Sequence, residues 1–334
     1  MASIRQIAER AGVSIATVSR VMNNHPQVSE TLRQKVKLAA EEGFHPRPSS
    51  DPASAQIGVL FTTERVTIGS PFDSAVMTGV SEEMGVDAVD LRVMTPAQLM
   101  RDGSTLVGAL RRRGLDGVLV RTATDSNHHA VKLFEAGFPA VVINDRIEHP
   151  DASYLAGSSR QASREAVEHL LGIGHTKIAL VNSRISDTDH LDRYAGYRDA
   201  MDAAGLGTDQ QRVVRAWPNR QGGTVAMNQI AIERDRPTAL FFADMAAAMG
   251  ASKRALEMGL KIPDDLSIVG FDDTDLRFFA YPTMSAVCQD THQIGRQALR
   301  MLSALMNEPG APPQRAEAAT WFEVHDSTAP VSSD

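Results

Sequence analysis

The sequence predicts an all-α head of three helices, containing a helix-turn-helix, joined to an α/β core with doubly wound parallel sheets. Up to Gly43 the apolar residues recur at helical spacing. From Ile57 onward, short apolar runs alternate with amphipathic stretches. Because such strands are buried on both faces, they form parallel sheets covered by helices on either side. A length of 334 residues is enough for two or three domains.

The head is built around residues 3–23, whose pattern indicates two short helices joined by a tight turn. Gly12 ends the first helix, at a position where a positive φ is often needed. Ser14 is a favourable N-cap for the second helix. The residues expected to form the apolar faces are Ile4, Ile7, Ala8, Ala11, Val13, Val18 and Val21.

The outward side of the second helix is small, rich in hydroxyl groups and carries one arginine. Such a helix can enter the major groove of DNA, with hydroxyl and backbone N–H groups on phosphates and the arginine on a base edge. The alternative is a helical hairpin that only packs against another element. The expected DNA-binding residues are Ser3, Ser14, Ile15, Ala16, Thr17, Ser19, Arg20, Asn23 and Ser29.

Charge is distributed unevenly along the chain. The overall net charge of −7 argues against a nucleic-acid ligand. The first 50 residues, however, carry seven basic and four acidic side chains, a net charge of +3, which leaves −10 for the rest. A basic head on an acidic body concentrates phosphate binding at one end of the molecule.

A third helix and a proline-rich linker complete the first segment. Ser29 can cap a helix from Glu30 to Glu42, which Gly43 ends. Three prolines between Pro46 and Pro52 favour an extended chain and oppose a helix. The expected domains are a DNA-binding head over residues 1–47, a linker over 48–56 and a core over 57–330.

The core alternates strands and helices through two similar halves. The expected strands are 57–61, 88–93, 117–120, 140–143, 178–181, 239–242 and 267–271. The expected helices are 72–84, 96–112, 127–136, 160–171, 192–204, 221–233 and 246–257. The tail after Val324 is polar, and we expect it to fray.

Several motifs of this sequence resemble those of the lactose-repressor (LacI/GalR) family of bacterial regulators. In the head they are Ala11-Gly12-Val13-Ser14 and Thr17-Val18-Ser19-Arg20-Val21. In the core they include Arg193 with Ala195-Gly196-Tyr197, and Gly270-Phe271-Asp272-Asp273. The resemblance implies a ligand-gated transcriptional regulator, usually a repressor, that binds pseudo-palindromic operator DNA as a homodimer. One departure is the linker, which lacks the leucine-bearing hinge helix that is usual in the family.

The resemblance also implies a sensor core of the type I periplasmic-binding-protein-like fold, in which the chain crosses three times between two lobes. We expect the crossings near 154–158, 284–288 and 316–320. The N-lobe would then comprise about 57–156 and 286–316, and the C-lobe about 157–285 and 317–328.

Ligands of parallel sheets bind beyond the carboxyl ends of the strands, here in the cleft between the lobes. The expected effector-binding residues are Phe72, Asp145, Arg146, Arg193, Trp217, Asp244 and Asp272, each of which matches an effector position of the family or its sugar-binding relatives. Planar Asp and Arg groups hold hydroxyls and aromatic faces cover a sugar ring, so a neutral polyol suits this set.

Each of these residues also has a purely structural interpretation. Asp244 and Asp272 could cap helices, Arg193 could form a surface ion pair, and the two aromatic rings could pack in the lobe cores. Asp73 stands where an aromatic residue is usual in the family. We expect this extra acid to disfavour uronates and phosphorylated sugars.

Other patterns exclude several classes of protein. The single Cys288 allows no intramolecular disulfide, and no His or Cys cluster has metal-ligand spacing, so we expect no metal and no cofactor. No apolar run is long enough to cross a membrane, no leader opens the chain, and no catalytic motif is present. The cytoplasm is the expected compartment. The alternatives are a sugar-binding module with an adaptor head, a purine- or nucleoside-responsive regulator, and a lobed α/β enzyme.

Overall fold

The head folds as three helices, α1 (Ile4–Arg10), α2 (Ile15–Met22) and α3 (Glu30–Glu42). The computed structural model describes residues 4–22, 25, 28–42, 55–62, 68–84, 90–207, 210–272 and 274–331. A backbone φ of +57° at Gly12 turns the chain between α1 and α2. The three helices bury one small core, Ile7, Ala8, Ala11, Val18, Val21, Val36 and Ala39. The expected linker and its hinge region lie outside the described residues.

The core alternates strands and helices as the sequence predicts. Its strands are β1 (Gln56–Phe61), β2 (Asp90–Met94), β3 (Gly117–Arg121), β4 (Ala140–Ile143), β5 (Tyr154–Gly157), β6 (Ile178–Ser183), β7 (Arg212–Ala216), β8 (Ala239–Phe242), β9 (Ser267–Asp272), β10 (Ser285–Gln289), β11 (Arg315–Ala318) and β12 (Thr320–Glu323). Its helices are α4 (Pro71–Met84), α5 (Pro96–Leu99), α6 (Leu106–Arg112), α7 (His128–Glu135), α8 (Ser159–Gly172), α9 (Thr188–Ala203), α10 (Arg220–Ala231), α11 (Met245–Glu257) and α12 (Thr291–Asn307).

Two six-stranded sheets divide the core into an N-lobe and a C-lobe. The N-lobe sheet has the order β11-β5-β4-β3-β1-β2 and is parallel throughout. The C-lobe sheet has the order β12-β10-β9-β8-β6-β7, and only its edge strand β12 is antiparallel. Helices α4 and α12 cover one face of the first sheet, and α6 and α7 cover the other. The second sheet lies between α8 with α9 and α10 with α11.

The chain crosses between the lobes three times. The first crossing follows β5, and the third separates β11 from β12 at Ala319. The second crossing differs from the expectation of 284–288, because β10 pairs with β9 inside the C-lobe sheet. The chain returns to the N-lobe only after Gln289, where α12 begins. The N-lobe therefore resumes about four residues later than expected.

Three local expectations were wrong. The single helix expected over 96–112 is two helices, because Thr105 starts α6 as an N-cap whose hydroxyl accepts from the Gly108 N–H. Helix α9 begins at Thr188, four residues before the expected start. The tail is pinned rather than frayed. Buried Ser327 donates to the Ile268 carbonyl at 2.5 Å, and Val331 donates its N–H to the carbonyl of Ile173.

Candidate functional site: a polar cleft between the lobes and an exposed helix on the head

The carboxyl ends of the strands in both lobes border one cleft. Counted with its opening to solvent, it encloses about 730 Å³, a size typical of small-ligand sites. Its lining mixes apolar and charged groups from both lobes. The charged residues in the lining are Asp73, Arg121, Asp187, His190, Arg193 and Asp244. This mixture offers hydrogen-bonding groups of both kinds to a ligand.

The N-lobe wall carries a buried ion pair beside an aromatic ring. Arg121, the last residue of β3, lies 2.5 Å from the Asp73 carboxylate through its Nε and donates from Nη1 to the carbonyl of Ile143 at 2.6 Å. Its guanidinium carbon lies 4.6 Å from the centre of the Phe72 ring. Burial lowers the pKa of Arg121, but the neighbouring carboxylates, chiefly Asp73, more than offset this and raise it. Both charges are therefore held in place and neutralised by each other.

The C-lobe wall places a histidine between two carboxylates at the start of α9. Asp187 caps α9 by accepting the N–H of His190 at 2.9 Å. The two imidazole nitrogens of His190 lie 2.7 Å from Asp187 and 3.4 Å from Asp244. Burial alone lowers the pKa of His190, but the two acids outweigh it and raise the pKa to about 10. Burial raises the pKa of Asp187, but His190 and its hydrogen bonds prevail and lower it to about 2.

Arg193 is the second arginine of the cleft, and it is buried rather than on the surface. It pairs with Asp189 one turn earlier on α9 and donates to the carbonyl of Ala243. Its guanidinium carbon lies 3.4 Å from the centre of the Phe271 ring. Arg193 thus links α9 to the ends of β8 and β9, the strands that border the cleft.

Three of the seven expected effector residues, Phe72, Arg193 and Asp244, line the cleft. Trp217 does not line it and is 41% exposed, whereas its neighbour Pro218 does line it. Asp272 ends β9, but its side chain lies outside the described part of the structure. Asp244 occupies the N-cap position of α11 without making a capping bond, because its carboxylate faces His190. Phe72 also packs in the N-lobe core, so both interpretations of this residue hold.

Asp145 and Arg146 are not in the lining and instead join the two lobes. The Asp145 carboxylate accepts the backbone N–H of Thr188 at 2.9 Å. The Arg146 guanidinium lies 2.8 Å from Asp192 and donates to the carbonyl of Gly157 at 2.9 Å. These contacts connect the end of β4 to the first turns of α9.

Sequence reasoning missed several residues of the cleft, namely Arg121, Asn144, Asp187 and His190. Asp187 could have been found, because an aspartate before a helical pattern is a typical N-cap and marks the start of α9. His190 would have followed from the corrected helix start. Asn144 has a φ of +63°, a conformation that asparagine adopts more readily than most residues. Nothing in the sequence pairs Arg121 with Asp73, which are 48 positions apart.

The head presents the second helix as expected. Ser14 caps α2 by accepting the N–H of Thr17 at 3.1 Å. The side chain of Ile15 is 51% exposed. Ala16 and Arg20 are also exposed, whereas Thr17 and Ser19 are half-buried.

The two ends of the expected DNA-binding set fall differently. Ser29 accepts the N–H of Leu32 at 3.3 Å and so caps α3. Ser3 and Asn23 lie outside the described residues. Within the described chain, no group of three or more His, Cys, Asp or Glu side chains could hold a metal ion. No described helix is long and apolar enough to cross a membrane.

Comparison with known proteins matches both parts of the chain. Residues 3–47 match the model of the bacterial regulatory proteins, lacI family, and residues 167–328 match the periplasmic binding protein-like domain. The ribose operon repressor of Haemophilus influenzae is 28% identical over 314 residues, or 92% of this chain and 93% of that protein. The probable HTH-type transcriptional repressor ExuR of Bacillus subtilis is 27% identical over 333 residues, 98% of each chain.

The fold is also shared with solved structures. The transcriptional regulator CelR-cellobiose complex is similar with a TM-score of 0.73 at 26% identity, over 98% of this chain and 100% of that chain. A LacI family transcriptional regulator from Enterococcus faecium has a TM-score of 0.71 at 24% identity, over 83% and 100% of the two chains.

A helix-turn-helix head and a two-lobed core with a polar cleft define a transcriptional regulator that responds to a small molecule. The chain belongs to the LacI family, since its head matches that family's model and its relatives over nearly the whole length are LacI-family repressors. These relatives are transcriptional regulators rather than enzymes.

Proposed function

We propose that this protein is a cytoplasmic, homodimeric repressor of carbohydrate-utilisation genes whose operator affinity is set by a sugar bound between the lobes. The observation that carries the proposal is the cleft itself. It places Phe72 and Arg121 of the N-lobe opposite His190 and Arg193 of the C-lobe. Planar charged groups beside an aromatic ring are the usual chemistry of polyol binding.

The named ligands of relatives support a sugar. The CelR structure is a complex with cellobiose, and the Haemophilus protein is named a ribose operon repressor. Both relatives align over more than nine-tenths of this chain. We therefore assign the cleft to a sugar rather than to a purine or nucleoside.

A ligand that contacts both walls changes the balance between open and closed lobes. The head precedes β1, the central part of the N-lobe sheet, so movement of the N-lobe repositions the head. In a dimer this alters the spacing of the two recognition helices on their half-sites. Such coupling free energies are typically about 1–3 kcal/mol.

An exposed aromatic surface on the C-lobe supports the homodimer. It follows β9 and consists of Phe278, Phe279 and Tyr281, of which Phe279 is 78% and Tyr281 88% exposed. Adjacent exposed aromatic side chains are unusual on a monomer and are enriched at interfaces. A second copy of the chain is the partner that a two-fold symmetric operator requires.

Fluorescence anisotropy with duplexes from the protein's own promoter region tests the proposal. We expect sequence-selective binding whose affinity falls steeply with salt, since the exposed face of α2 carries Arg20. A sugar that raises the melting temperature of the protein should also change operator affinity. Binding of sugars without any selective binding of DNA would instead indicate a sugar module with an adaptor head.

A further inference from the structure

The cleft contains three cationic side chains, and each is already paired with an acid of the protein. Arg121 pairs with Asp73, Arg193 with Asp189, and His190 with Asp187. The acidic and basic members of these pairs are all buried. Asp73, which the sequence suggested as a surplus acid, is therefore neutralised by Arg121. An anionic ligand would have to displace one of these internal carboxylates to gain a counter-ion.

The surplus acid of the cleft is Asp244. It is the second carboxylate on His190, at 3.4 Å, and its side chain remains 20% exposed. It makes no capping bond to α11, so its carboxylate keeps acceptor capacity toward the cleft. Among the described side chains, the three pairs and Asp244 together carry a net charge of −1. A second negative charge nearby would be repelled.

The cleft also contains a buried acceptor without a donor. Asn144 is 4% exposed, and its amide nitrogen donates to Asp189 at 3.2 Å. Its Oδ1 accepts no hydrogen bond from the described chain. A buried acceptor of this kind is costly unless a ligand supplies the donor. A hydroxyl group, which can donate, satisfies both Asn144 and Asp244.

From these three observations we propose that the effector is an uncharged polyol, and that the cleft discriminates against uronates and phosphorylated sugars through Asp244. This inference rests on the proposed function, because it concerns the ligand of the same cleft. It names the chemical class that the cleft accepts and the residue that enforces the choice.

The test compares matched neutral and anionic sugars on the full-length protein by isothermal titration calorimetry. Glucose is compared with glucose 6-phosphate and glucuronate, ribose with ribose 5-phosphate, and cellobiose is added as a neutral disaccharide. At least one neutral sugar should bind, and more than about tenfold tighter than its anionic counterpart. An anionic sugar that binds as tightly as its neutral parent overturns the proposal.

Asp244→Asn tests the residue assignment. It removes the surplus charge while it keeps an oxygen toward the cleft, so the neutral-to-anionic preference should fall by about threefold or more. The control is Asp151→Asn, which removes the same charge from an exposed turn before β5, at the opposite end of that strand from the cleft. The control should keep the wild-type ratio. An unchanged ratio in Asp244→Asn refutes the role of Asp244, and if that variant does not fold, the wild-type ratio alone decides.

Operator binding measured on the same preparations separates the two levels of failure. If no neutral sugar binds while the protein still recognises its promoter DNA selectively, the polyol assignment is wrong and the regulator function stands. If neither sugars nor promoter DNA bind, the proposed function fails with it.

Discussion

The carboxylate of Asp145 in the N-lobe accepts the backbone N–H of Thr188 in the C-lobe at 2.9 Å. Thr188 is the first residue of α9, so its N–H has no partner within the helix and needs an acceptor from elsewhere. The backbone N–H of Arg146 donates to the Thr188 hydroxyl at 2.8 Å in return. Opening the cleft breaks both bonds, which therefore contribute to the free energy of lobe separation.

Asp145→Ala should lower the free energy of unfolding by about 1–3 kcal/mol, since it leaves a buried N–H without an acceptor. Burial, with the charge of Asp187, raises the pKa of Asp145 to about 6, so the site disfavours the ionised form. Asp145→Asn supplies a neutral acceptor and should lose much less stability. Urea unfolding followed by circular dichroism measures both variants, and equal losses would contradict this role of the hydrogen bond.

His190 should make stability fall with pH in the alkaline range. Its pKa is raised from 6.5 to about 10 in the folded protein, so its contribution is complete below about pH 6.5 and is lost as pH rises through about 10. The difference in unfolding free energy between wild type and His190→Gln should therefore shrink across that interval. The exposed His128→Gln is the control, and a difference independent of pH would show that His190 is not charged.

Arg20→Ala should weaken operator binding by about 10- to 100-fold, because a base contact by arginine is worth about 1–3 kcal/mol. The side chain is exposed on α2, so the melting temperature should not change. Anisotropy titrations against the promoter duplex provide the measurement. Arg101→Ala removes an exposed charge from the N-lobe and should bind as the wild type does.

The aromatic surface after β9 should hold the dimer together. Phe279→Asp combined with Tyr281→Asp places two charges on it and should convert the protein to a monomer, as measured by light scattering after size exclusion. Ile232→Asp changes an equally exposed apolar side chain on the same lobe and should leave the dimer intact. A double variant that stays dimeric places the interface elsewhere.

Local patterns sufficed for the head and for the strand order of the core. The third helix was predicted with the bounds that it has, Glu30–Glu42, because a capping serine and a stop glycine mark its ends. The buried strands were recognisable from short apolar runs such as Ala140–Ile143.

The cleft could be predicted only in part, because its pairs join distant segments. Arg193 and Asp244 were found since each follows a recognisable motif, but the partners of Arg121 and His190 depend on how two sheets face each other. Asp145 was expected to contact the effector and instead bonds across the lobes. Tertiary placement, which no local pattern encodes, decided these outcomes.

The most direct test of the central proposal is a pair of titrations with a neutral sugar that stabilises the protein. Its dissociation constant is measured with and without saturating operator DNA, and the operator affinity is measured with and without the sugar. We expect both affinities to change by the same factor, about 5- to 150-fold, because coupling between two sites is reciprocal. Coincident sugar titrations in the presence and absence of operator would contradict control of the head by the cleft.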